Sequence, residues 1–176
     1  MPGPLALYQA RVDTGELLAD AAQSEVAAEL ERLFQKVDAY ASPRWWSLKK
    51  PSPPRGVYLV GAVGRGKTLL MDLLAQALAD HRIPHWRVHF HRFMEEIQTS
   101  LKLRQGDNDP LVGIAKDLAK TYRVLCFDEL HVEDIGDAMI LGELLTQLFA
   151  HGVVLVATSN TPPDQLYTGG LQRARF

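Results

Sequence analysis

The chain has 176 residues, 47% of them apolar and 23% charged, with a formal net charge of −2. This is the composition of a soluble globular protein with one core and room for an appendage. Nothing in the balance calls for a nucleic-acid partner, and no uncharged run approaches the ~18 residues of a membrane span.

Met1-Pro2-Gly3-Pro4-Leu5 lacks the basic and apolar regions of a signal peptide and the Arg- and Ser-rich character of a transit peptide. Residues 1–40 read as an N-terminal helical segment. Asp20 and Gln23 stand in capping-box register, and Val26, Leu30, Leu33, Phe34 and Val37 recur at helical spacing. That stripe reads as a packing face against the core, with a partner-binding helix as the alternative. Residues 41–55 form a linker, because Pro43, Pro51, Pro53 and Pro54 exclude regular structure. Arg44, Lys49, Lys50 and Arg55 make it basic. Of the adjacent Trp45 and Trp46, one is expected to pack and the other to face a partner or a nucleotide base.

Residues 56–176 carry the chemistry. Gly56-Val57-Tyr58-Leu59-Val60 reads as a short buried strand. Gly61-Ala62-Val63-Gly64-Arg65-Gly66-Lys67-Thr68 follows and fits G-x-x-x-x-G-K-[ST], the loop that cradles nucleotide phosphates. Leu69-Leu70-Met71-Asp72-Leu73-Leu74 then opens a helix. Strand, glycine loop and helix are the context this motif needs. A helix that starts here aims unpaired N–H groups and a positive dipole end at an anion. Lys67 is expected to reach the β- and γ-phosphates and the Thr68 hydroxyl to help hold Mg²⁺. Gly61 to Thr68, with Leu69, are the expected nucleotide-binding residues.

Trp86-Arg87-Val88-His89-Phe90-His91 reads as a strand with Arg87, His89 and His91 on one face. Two histidines there lack a third metal ligand nearby in sequence. Phe93, Ile97 and Leu101 form a helical stripe, so Phe93 and Met94 read as core; the alternative is a substrate-gripping pore loop. Asp109-Pro110 is a helix start with cap and first-turn proline, and Leu111, Ile114, Ala115 and Leu118 supply that helix's apolar face.

Val124-Leu125-Cys126-Phe127-Asp128-Glu129 is an apolar run ending in two acids. Such a run suits a parallel strand buried on both faces, and ligands in such sheets sit at the strands' carboxyl ends. Asp128 is expected to act on Mg²⁺ and Glu129 to polarise the attacking water. Cys126, the sole cysteine, reads as a buried structural thiol in a reducing compartment. The second acid, and the lack of an Asn-Lys-x-Asp segment, argue against a Ras-like GTPase and leave ATP as the expected nucleotide. Asp134 caps the next helix, with Leu141, Leu144, Leu145, Leu148 and Phe149 apolar and Gly152 closing it. The strand Val153–Asn160 ends at the same sheet edge. Asn160 reads as a sensor of the γ-phosphate or the water, or else as a turn residue beside the rival cap at Thr161-Pro162. The alternation of strands and helices implies an α/β fold, a parallel sheet flanked by helices with right-handed crossovers.

These segments resemble the ZapE/AFG-like family of AAA+ ATPases. The resemblance runs through Gly61–Thr68, His89-Phe90-His91-Arg92-Phe93-Met94, Asp109-Pro110-Leu111, Leu125–Glu129, Asp134-Ile135, Asp137-Ala138-Met139, Leu155–Asn160 and Gly170-Leu171-Gln172-Arg173 with Phe176. Leu7-Tyr8 and Asp20 with Gln23 join it from the N-terminal region. Leu130 stands where members commonly have Phe, an apolar-for-apolar departure. The resemblance implies a cytoplasmic bacterial ATPase that remodels a protein partner, associated with the cell-division ring. It also implies a homo-oligomeric ring, with membrane contact at most peripheral. In such rings an arginine from this region reaches the neighbouring subunit's phosphates. The family motif favours Arg173, with Arg175 in reserve; both are alternatively surface charges. AAA+ modules usually continue into a helical lid that these residues do not supply, so weak turnover is expected. Two rival readings stay open: a helicase-loader or initiator ATPase acting on DNA, and a nucleotide-gated scaffold with little turnover.

Overall fold

The structure, a computed structural model, describes residues 1–41 and 52–166. Four parallel strands form one sheet: β1 (Val57–Val60), β2 (His85–His89), β3 (Val124–Asp128) and β4 (Val154–Ser159), in the order β1-β4-β3-β2. Strand β3 is apolar up to its last residue and buried along its whole length, because it pairs on both sides, with β2 and with β4. Strand β1 departs from the expected buried strand. It pairs with β4 on one side among the described strands, so only Leu59 is buried and Val60 stays 47% exposed.

Alternation along the strands sorts the core into two layers. Leu125, Phe127, Ala157 and Val88 pack with α4 (Phe90–Leu103), α5 (Pro110–Thr121) and α6 (Ile135–Ala150). Val124, Cys126, Val154 and Val156 pack on the other face with α1 (Pro4–Asp13), α2 (Ala21–Ala41) and α3 (Lys67–Asp80). Each buried Leu or Phe contributes about 1.5–3 kcal/mol relative to exposure. Burial pushes the Cys126 thiol up to about 12, so it stays protonated at neutral pH.

The α2 stripe is buried against α1 and α3. Asp20 Oδ1 accepts from Gln23 N–H at 2.9 Å, which is the first half of the expected capping box. The second half is replaced. Asp20 N–H donates to Tyr8 Oη at 3.3 Å, and the Gln23 carboxamide reaches over to Arg65 O at 3.5 Å.

Phe93, Met94 and Ile97 are core residues of α4. His91 lies in the first turn of that helix and faces Glu95 at 3.3 Å. The shared strand face expected for His89 and His91 therefore does not form, because the chain turns helical at Phe90. Asp109 occupies the N-cap of α5 but its carboxylate makes no capping bond. Phe149 is 48% exposed, since it lies one step of about 100° beyond the buried stripe Leu141, Leu144 and Leu148. After β4 a single 3₁₀ turn runs over Pro163–Gln165 with Pro162 at its N-cap, one residue later than expected.

Asp134 does cap α6, accepting from Gly136 N–H and Asp137 N–H. Asp134→Ala should therefore cost about 1 kcal/mol. A fall of roughly 2–4 °C in the thermal midpoint is expected; an unchanged midpoint in a melting curve would exclude the cap as a stabilising contact.

Candidate active site

The loop between β1 and α3 turns on two glycines. Gly64 and Gly66 have φ of +81° and +83°, the left-handed region that side chains avoid. Gly66 is also crowded, because a Cβ there would meet Gln23 Nε2 at 2.7 Å. Helix α3 starts directly after it, so its first N–H groups edge the loop. Gly61 N–H donates to Ser159 O at 3.2 Å, tying the loop's start to the end of β4. The Lys67 ammonium donates to Gly61 O, to Ala62 O at 2.9 Å and to Asn160 Oδ1 at 2.9 Å. Ala62, Val63, Gly64, Arg65 and Thr68 are exposed, and Leu69 is half-buried.

Asp128 closes β3 and is 7% exposed. Its Oδ2 accepts from Arg87 Nε at 2.8 Å. Arg87 also donates through Nη1 to Asp72 on α3. Burial works against the Arg87 charge, but the hydrogen bonds and charges of Asp72 and Asp128 outweigh it and raise its pKa. Asp128 Oδ1 is buried with no hydrogen-bond partner among the described residues. A buried acceptor left so costs about 1–3 kcal/mol, more when charged, unless a ligand completes it. Hard divalent cations take oxygen donors. The carboxylate of Asp128 and the hydroxyl of Thr68 are therefore chemically suited to Mg²⁺.

Glu129 is exposed with φ +56°, a left-handed turn that costs an L-residue roughly 1–2 kcal/mol. Strand β4 holds it there. Glu129 N–H donates to Thr158 Oγ1 at 3.0 Å, and Leu130 N–H donates to Thr158 O at 2.7 Å. Ser159 Oγ donates to Leu130 O at 2.6 Å and accepts from Thr161 N–H at 3.0 Å. The Glu129 carboxylate is thus presented on a fixed turn, next to the strand whose following residue is Asn160.

The structure brings Lys67 and Asn160 into contact and sets Asp128 and Glu129 on the neighbouring strand. Arg173, Arg175, Trp45 and Trp46, with most of the basic linker, lie outside the described residues. Sequence reasoning did not find Arg87, Asp72, Thr158, Ser159 or the loop contact of Gln23. The signal for Thr158 and Ser159 was present: hydroxyls ending an apolar strand need partners when buried.

Known proteins give the site its setting. The AFG1-like ATPase family model matches residues 3–176. The chain belongs to the AFG1-like ATPase family. Among curated relatives of this family, the cell division protein ZapE of Escherichia coli K12 is 44% identical over 98% of this chain and 50% of its own length. Lactation elevated protein 1 homolog B of Danio rerio is 46% identical over 72% of this chain and 27% of its own length. The chain thus spans half or less of these two relatives. Its fold is that of AAA+ P-loop ATPases. AMPPCP-bound DnaA from Aquifex aeolicus superposes with a TM-score of 0.60 at 13% identity, over 90% of this chain and 44% of DnaA; that likeness speaks for the fold alone. Among the described residues no helix is long and apolar enough to cross a membrane.

Proposed function

We propose that the chain binds ATP with Mg²⁺ on residues 61–69, hydrolyses it, and couples turnover to remodelling of a protein partner. The observation that carries this reading is the meeting of Lys67 with Asn160 at 2.9 Å. It joins the phosphate loop to the strand that holds the Glu129 turn. In this reading Lys67 and the first N–H groups of α3 bind the phosphates, and Thr68 and Asp128 hold the cation. Bound Mg²⁺ would neutralise charge on the phosphates. Glu129 takes a proton from the attacking water and Asn160 orients the water or the γ-phosphate. No covalent intermediate is needed, only positioning and fixed charge.

Arg173, or Arg175 in its place, completes a neighbour's site in a homo-oligomeric ring. The likeness to a cell division protein supports the cell-division ring as the partner, in the cytoplasm with at most peripheral membrane contact. Nucleic acid is not part of this reading, in keeping with the net charge of −2.

The test is phosphate release from ATP per subunit over a wide range of protein concentration. A specific rate that climbs with concentration is expected, because the arginine comes from a second subunit. Nucleotide binding with a rate at background throughout would replace this reading with a nucleotide-gated scaffold.

A further inference from the structure

We propose that Arg87 is the positioning residue of the cation carboxylate: it occupies Asp128 Oδ2, bridges to Asp72, and leaves Oδ1 as the oxygen for Mg²⁺. The inference rests on the reading of Asp128 and Thr68 as the cation's donors.

Strand geometry puts the three residues together. Trp86 and Val88 pack into the α4–α6 layer, so Arg87 between them points to the α3 layer. Cys126 belongs to that same layer, and Asp128, two residues on, shares its side of β3. Arg87 pairs in register with Cys126. The guanidinium fork then bonds two acids at once, Asp128 through Nε and Asp72 through Nη1. A lysine ammonium is a point charge and lacks this fork.

Asp72 follows Thr68 by four residues in α3, so both lie on one face of that helix. By gripping Asp72 and Asp128, Arg87 therefore ties the helix face that carries Thr68 to the carboxylate that would share the cation. The donors come from two elements, and Arg87 sets their separation.

Charge and hydrogen bonding point the same way. One guanidinium faces two carboxylates, which leaves the cluster a negative charge in excess. A purely structural ion pair this buried, with side chains 23% and 11% exposed, would be expected to satisfy both oxygens of Asp128. Here one oxygen is fully used and the other has no partner among the described residues. The division matches a metal carboxylate oriented by an outer-shell donor, where losing the outer partner typically costs 10–100-fold in metal affinity or activity.

The test titrates Mg²⁺ into the chain with a fluorescent adenine nucleotide, reading nucleotide affinity rather than turnover. In Arg87→Met the half-saturating Mg²⁺ should rise about tenfold or more, while affinity in EDTA stays at the parent value. Arg87→Lys and Asp72→Asn keep charge or shape and should raise it by smaller factors, so the inference does not depend on the folding of one variant. Melting curves are run alongside. A lower thermal midpoint with an unmoved Mg²⁺ half-saturation would make Arg87 merely structural and overturn the inference. A fall in half-saturation would overturn it too, by making Arg87 a competitor of the cation. No Mg²⁺ effect in the parent chain would overturn the cation reading of Asp128 itself, and this inference with it.

Discussion

Glu129→Gln is expected to lower phosphate release by about 10²–10⁴-fold, the range of a positioned general base, and to leave ATP affinity unchanged. The substitution keeps the side chain's size and removes its capacity to accept a proton from water. It also keeps the backbone contact on which the turn depends, because Glu129 N–H, not its side chain, donates to Thr158 Oγ1. Glutamine meets the same left-handed backbone cost as glutamate, so the fold has no new reason to fail. Single-turnover phosphate release checks the first half of the expectation, and titration with a fluorescent nucleotide checks the second. A parent-like rate would remove Glu129 from the chemistry. A loss of binding would mean that its charge serves the nucleotide rather than the water.

The sequence made the loop and the β3 acids legible because both are local. Glycine spacing dictates the turn, and an unbroken apolar run dictates a strand buried on both faces. What escaped was long-range. Arg87 meets Asp128 across 41 residues and Asp72 across 15, and no periodicity within β2 reports a partner on another element. His91 was misplaced because the switch from strand to helix uses neither Gly nor Pro. His89 caps α4 with an extended backbone, φ −63° and ψ 136°, and the apolar alternation runs on past it. Phe149 was misplaced because a list of apolar positions does not distinguish the centre of a helical stripe from its flank. The strain at Glu129 was invisible, since it comes from hydrogen bonds offered by Thr158 and Ser159 on a different strand.

Lys67→Ala is expected to weaken ATP binding by roughly 10–100-fold, since a hydrogen bond to a charged group contributes about 1.5–3 kcal/mol and each 1.4 kcal/mol is tenfold. The ammonium is not idle without nucleotide: it bonds Gly61 O, Ala62 O and Asn160 Oδ1. ATP must compete for it, so the net loss is smaller than the bare attraction between an ammonium and a phosphate. The same exchange predicts a second effect. Removing Lys67 frees Asn160 from the loop, and the link between β1 and the end of β4 is reduced to the Gly61–Ser159 backbone bond. The variant should therefore melt close to the parent when empty, because an exposed contact is lost and no core is opened. It should also lose the rise in thermal midpoint that ATP gives the parent, which ligand at 100 times its dissociation constant makes worth about 2.7 kcal/mol. Thermal shift with and without ATP reads both at once. A full ATP-dependent rise in Lys67→Ala would place the nucleotide away from the loop. A large fall in the empty midpoint would mean that the lysine's main role is to hold β1 to β4.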